Sequence, residues 1–140
     1  MKHHPIPYFT FEGTAREALE YYKEVFEGEI TDVQTFGEAN FETPPELDDH
    51  IMHARFKKDD LFFMVSDVFL NQNVTVGNNI SLALELDSAE EIESLYARLK
   101  EKGTVYMELQ DTFWGATFAK VKDAYGVIWD LNFEKPGSSN

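Results

Sequence analysis

The chain is expected to fold as an α+β protein of two tandem βαβββ modules, with mixed sheets curving around a cavity and helices on the outer face. Two observations predict this. One order of signals, a strand, a capped helix and then three strands, occurs twice along the chain. Within each occurrence the apolar period switches from two in the strands to 3.6 in the helix. With 140 residues, the chain suits one domain, 1–140, with module 1 at about 5–70 and module 2 at about 78–134. A half that small cannot bury its faces alone, so the two are expected to pack together.

The elements follow in order. Tyr8-Phe9-Thr10-Phe11 alternates as a short strand. Thr14-Ala15-Arg16-Glu17 has capping-box spacing, in which the hydroxyl takes the Glu17 amide and Glu17 reaches back. Ala15, Ala18, Leu19, Tyr22, Val25 and Phe26 recur at helical spacing and predict a helix over Ala15–Phe26, stopped by Gly28. Ile30 to Phe36 is β-rich, and a longer loop runs from about Gly37 to His50. His53 to Asp67 reads as strand, charged turn, strand. In the second half, Ile80 to Leu86 alternates strictly. Ser88-Ala89-Glu90-Glu91 is a second capping box, and Ile92, Leu95, Tyr96 and Leu99 form the stripe of a helix over Ala89–Lys102 that ends at Gly103. Phe118 to Asn132 repeats the strand, turn, strand plan, with Lys122-Asp123 where the first half has Lys58-Asp59.

Composition narrows the partners. The chain has 26 Asp and Glu against 12 Lys and Arg, a net charge of −14. That balance argues against nucleic acid and against anionic membrane surfaces, and leaves room for a cationic ligand, a metal or plain solubility. There is no cysteine, which excludes disulfides, thiolate zinc sites and cysteine nucleophiles and fits a cytoplasmic location. No apolar run reaches membrane-spanning length, and no apolar leader opens the chain. Twelve Phe, six Tyr and two Trp can fill a core or line a pocket.

Four stretches, PYFTFEGTAREALEYYKEVFEG, HARFKKDDLFFMVSD, FWG and DAYGVIWDLNF, together resemble the PhnB-like branch of the vicinal oxygen chelate superfamily. That superfamily includes glyoxalase I, bleomycin-resistance proteins and extradiol dioxygenases. The likeness spans nearly the whole chain. Some members are described as 3-demethylubiquinone 3-methyltransferases, but no Gly-rich loop follows a first strand here to hold a nucleotide-like cofactor. The resemblance implies a divalent metal held by four side chains, usually His, Glu or Gln, from the first and last strand of each module. Strand alternation puts those positions at Met64, Ser81 and Asp130, and at Tyr8 or Pro7: parity favours Tyr8, distance to the helix favours Pro7. Only Asp130 is a good ligand for a hard or borderline ion. No metal and no cofactor are therefore expected.

Asp130 lies between Trp129 and Leu131 in an apolar strand, a costly place for a carboxylate unless something binds it. Three roles fit: a ligand anchor, a general base, or a structural acid satisfied by Asn132, Ser81 or an internal water. Trp114, beside Gly115 in a loop, either closes over the cavity or packs its rim. Trp129 alternates onto the helix side. Glu85 shares the Ser81 face as a second acid or as solvated charge. His50 and His53 fall on opposite faces of a strand and make a poor chelating pair, with His53 expected to start a strand and hydrogen-bond locally.

The reading that follows is metal-independent binding of a small, flat organic molecule, cations included, in cavities enclosed by a homodimer. Tyr8, Thr10, Phe62 and Met64 would line the cavity from module 1, and Ser81, Ile128 and Asp130 from module 2, with Trp114 at the rim. This is similar to the sequestering drug-resistance members. The alternatives are a metal-dependent lyase, isomerase or dioxygenase with a non-standard site, and a fold used only for assembly.

Overall fold

Both apolar stripes form the predicted helices, and each helix lies against a sheet built from its own half of the chain. The computed structural model describes residues 1–39, 44–69 and 72–137. The chain divides into two compact units, Met1–Thr75 and Val76–Asn140. Each has the element order strand, helix, three strands.

In the first unit, β1 (Tyr8–Phe11), α1 (Ala15–Phe26), β2 (Glu29–Thr35), β3 (Ile51–Lys58) and β4 (Leu61–Asp67) give a sheet of order β1-β4-β3-β2. β1 runs parallel to β4, and the other pairings are antiparallel. Phe9 stands beside Val65, Ala54 beside Val65, and Phe56 beside Phe63, so these residues share one face. The α1 stripe of Ala18, Leu19, Tyr22, Val25 and Phe26 is buried. Phe63 stacks on Phe56 with ring centroids 4.9 Å apart and meets Tyr22 edge-on at 5.1 Å. Each such side chain contributes about 1.5–3 kcal/mol by burial.

The end of α1 differs from the sequence expectation. Glu27, not Gly28, takes the left-handed cap position, at φ 57°, and its N–H donates to the Lys23 carbonyl. Gly28 is needed for a different reason. A Cβ there would lie 2.5 Å from the Phe56 ring and 2.6 Å from the Lys57 carbonyl. At the helix start, Thr14 makes no side-chain cap. The Ala15 N–H donates instead to Asp67 Oδ1 at 2.9 Å, and Asp67 Oδ2 takes the Ile51 N–H at 2.9 Å. A carboxylate from the end of β4 has displaced the local box.

In the second unit, β5 (Leu82–Glu85), α2 (Ala89–Lys102), β6 (Thr104–Asp111), β7 (Ala116–Lys122) and β8 (Ile128–Glu134) form a sheet of order β5-β8-β7-β6. Here the cap forms. Ser88 accepts the Glu91 N–H at 3.0 Å, and Glu91 reaches back to the Asp87 N–H at 2.7 Å. Ala119, Val121, Trp129 and Leu131 are fully buried on the α2 side with Ile92 and Leu99. β5 is shorter than the alternation implied, and Ile80 is exposed ahead of it.

The β7–β8 turn is held by Asp123. Its Oδ1 accepts the Tyr125 and Val127 N–H groups at 2.8 and 3.1 Å, and Oδ2 accepts the Trp129 indole N–H at 2.8 Å. No helix among the described residues is long and apolar enough to cross a membrane.

Candidate functional site

One step along β8 separates the core from the open face of the second sheet. Trp129 is fully buried, while the Asp130 side chain, on the opposite face, is 21% exposed. Asp130 is flanked by Ala83 on β5 and Lys120 on β7. Ala83 is small and leaves room above it. The Ser81 hydroxyl donates to Asp130 Oδ2 at 2.5 Å. The Lys120 ammonium lies 3.9 Å from Oδ1, within ion-pair range but beyond a hydrogen bond. Asp130 Oδ1 is shielded from solvent and has no hydrogen-bond partner among the described residues. A partly exposed pair of this kind contributes only about 0–1 kcal/mol, so it does not replace the missing bond. One row further along, Asn132 donates to Glu85 at 2.8 Å.

The first sheet presents a matching face. Tyr8 pairs with Met64 in parallel register, and the Pro7 carbonyl takes the Met64 N–H at 3.0 Å. Register therefore selects Tyr8 over Pro7 as the side chain beside Met64. Thr10 is the next outward residue of β1 and is exposed. Phe62 lies on the same face, with the Arg55 guanidinium 6.0 Å from its ring centre. The Tyr8 hydroxyl bonds His53 Nδ1 at 3.0 Å. This corrects the local bond expected for His53: β3 already begins at Ile51, so parity puts His53 and Arg55 together on the open face. His50 precedes β3, and its ring packs against Gly13.

Tyr8, Thr10, Phe62 and Met64 thus share one face of the first sheet. Ser81 and Asp130 meet on the second. Ile128 has the Asp130 parity but is 2% exposed. Trp114 sits in the β6–β7 hairpin, where Thr112 N–H donates to the Ala116 carbonyl at 2.8 Å and Gly115 supplies the turn at φ 89°. Trp114 meets the fully exposed Phe113 edge-on at 5.0 Å. Lys120 was not singled out from the sequence, and His53 was expected only to bond locally, not to join a candidate site. The signal for both was hairpin register, which sets Lys120 across from Asp130 once the turn is centred on Ala124-Tyr125.

The donor set does not fit a catalytic divalent metal. A phenol, a thioether, an alcohol and one carboxylate stand at the implied positions, and an ammonium already lies near that carboxylate. Among the described residues no three His, Cys, Asp or Glu side chains are grouped to hold an ion. Elemental analysis of protein purified without chelator is expected to find no Ni, Zn, Fe or Mn near one equivalent per chain. One equivalent that vanishes in Asp130→Ala would overturn this.

Residues 3–132 match the family described as 3-demethylubiquinone-9 3-methyltransferase. The chain is 29% identical to Protein YjdN of Escherichia coli (strain K12), over 92% of this chain and 94% of that one. The structure of PA1353 from Pseudomonas aeruginosa superposes with a TM-score of 0.82 at 34% identity, covering 95% of this chain and 98% of that one. A PhnB protein from Bacillus cereus gives 0.78 at 28%, covering 94% and 99%. Likeness in fold alone extends to a glyoxalase/bleomycin resistance protein/dioxygenase from Nocardioides and to a fosfomycin resistance protein from Listeria monocytogenes, at 18% and 11% identity.

Proposed function

We propose that this chain, which belongs to the PhnB-like family described as 3-demethylubiquinone-9 3-methyltransferase within the vicinal oxygen chelate superfamily, binds a small organic molecule on the open faces of its sheets without a metal. The observation that carries the reading is Asp130 Oδ1, a carboxylate oxygen withdrawn from water with no hydrogen bond among the described residues. Such an oxygen is costly unless a donor reaches it. A ligand N–H or O–H supplies that donor. Ser81 fixes the other oxygen. Lys120 changes the preferred ligand chemistry: with an ammonium already beside Asp130, a molecule carrying both a donor and an acceptor suits the site better than a bare cation.

Tyr8, Thr10, Phe62 and Met64 supply aromatic and apolar contact in the first unit, and Trp114 is the corresponding candidate in the second, where Ile128 is too buried to meet a ligand. The lyase, isomerase or dioxygenase reading needs a donor set that these positions lack. The same proposal puts the protein in the cytoplasm, which suits a chain without cysteine, and pairs it as a homodimer.

The test begins with a small-molecule library screened by thermal shift. For a ligand so found, Asp130→Asn is expected to weaken binding about ten- to a hundred-fold, from roughly 1.5–3 kcal/mol of lost charge-assisted bonding. The melting temperature of the free protein should change little. A variant that binds as wild type but melts lower would make Asp130 a structural acid and sink the reading.

A further inference from the structure

We infer that the open face of the first sheet carries a site for an organic anion, a carboxylate on a planar apolar body, with Arg55 and His53 as its donors. The inference deepens the binding reading by naming a ligand class for one unit, and it does not depend on Asp130.

Five observations carry it. Arg55 and His53 are two residues apart on β3, hence on one face and about 7 Å apart along the strand. Arg55 approaches Asp32 Oδ2 through Nε at 3.6 Å, and its side chain is half-exposed. The Nη pair, the end of the fork that grips a carboxylate in two parallel bonds, has no hydrogen-bond partner among the described residues.

The Tyr8 hydroxyl bonds His53 Nδ1. With the hydroxyl donating to Nδ1, the ring proton sits on Nε2. That N–H is a second donor with no partner among the described residues.

Beneath these donors the floor is apolar. Met64 lies directly across from Arg55 and directly across from Tyr8, and Phe62 lies under the guanidinium. A flat ring can rest on the thioether and the phenyl face while its acid group meets Arg55 and His53. Finally, the charge here runs against the chain. The protein carries −14, yet this face holds Arg55 and Lys57. Glu29 stands across from Lys57 and Asp32 lies beside Arg55, so the local balance is near neutral and an anion is not repelled as it would be elsewhere on the surface.

The probe is benzoate, titrated calorimetrically into the full chain, with inorganic phosphate in parallel. Benzoate is expected to bind saturably and to shift the His53 ring signals in NMR spectra. Arg55→Gln should weaken it tenfold or more. Arg55→Lys, which keeps the charge and loses the fork, should fall between Arg55→Gln and wild type. Lys100→Gln, which removes an exposed charge from α2, should leave benzoate affinity unchanged. Because benzoate is tested through Arg55 and not through Asp130, failure of the Asp130 experiment and failure of this one are distinct results. Any of four results would overturn the inference: no benzoate binding to wild type, wild-type affinity in Arg55→Gln, phosphate bound as tightly as benzoate, or equal losses in Lys100→Gln and Arg55→Gln.

Discussion

Trp129→Ala is expected to cost roughly 3–5 kcal/mol of stability, the usual range for truncating a core aromatic. Trp129 is fully buried in a core that includes Ile92, Leu99, Val121 and Leu131. Removing the indole leaves a cavity those side chains fill only in part. A second loss adds to the first. The indole N–H donates to Oδ2 of Asp123, itself 4% exposed, and losing one donor to a buried carboxylate costs about 1.5–3 kcal/mol. Asp123 also fastens the β7–β8 turn through Tyr125 and Val127, so the two losses are coupled and not strictly additive. Trp129→Phe helps separate them, since it removes the N–H but keeps most of the apolar volume, losing only the smaller ring of the indole. A melting temperature lower by more than about 10 °C is expected for Trp129→Ala, and a clearly smaller drop for Trp129→Phe. A Trp129→Ala protein that melts like wild type would mean that the two faces of β8 are reversed, and with them every residue assigned to the open face.

What was legible in the sequence was periodic. Both helices have the bounds that their stripes and stop signals implied, Ala15–Phe26 and Ala89–Lys102. The βαβββ repeat was readable because each element in one half has a partner signal in the other. Face assignments followed from parity, which is why Asp130 and Trp129 separate as expected.

What was not legible depends on residues far apart in the chain. The Thr14 box has the right letters, but Asp67, 52 positions away, takes the Ala15 amide. Local spacing carries no trace of that competitor. Asp123 looked like an ordinary turn residue, and its bond to Trp129 becomes visible only when the hairpin brings the indole back over the turn. Lys120 and His53 entered the candidate sites through register, and the choice between Tyr8 and Pro7 was settled the same way.

Asp67→Ala should be the second most damaging of these changes, at about 2–5 kcal/mol, less than the sum of its parts because both bonds share one carboxylate and are not additive. The carboxylate is 4% exposed and accepts two backbone N–H groups, Ala15 at the first turn of α1 and Ile51 at the first residue of β3. Alanine orphans both donors, at about 1–3 kcal/mol each. It also removes a negative charge from a helix N-terminus, where one is favoured by about 0.3–1 kcal/mol. Asp67→Asn keeps one acceptor oxygen and should retain roughly half of the stability. The local alternative offers no rescue, because Thr14 makes no side-chain cap. Thr14→Ala is therefore expected to be nearly silent, whereas Ser88→Ala, which removes a cap that does form, should cost about 1 kcal/mol. Denaturant melts of the four variants give a clear ordering: Asp67→Ala worst, Asp67→Asn next, Ser88→Ala mild, Thr14→Ala close to wild type. If Thr14→Ala proves as damaging as Asp67→Ala, the helix is capped by its own sequence after all, and Asp67 is not what ties α1 to the end of β4.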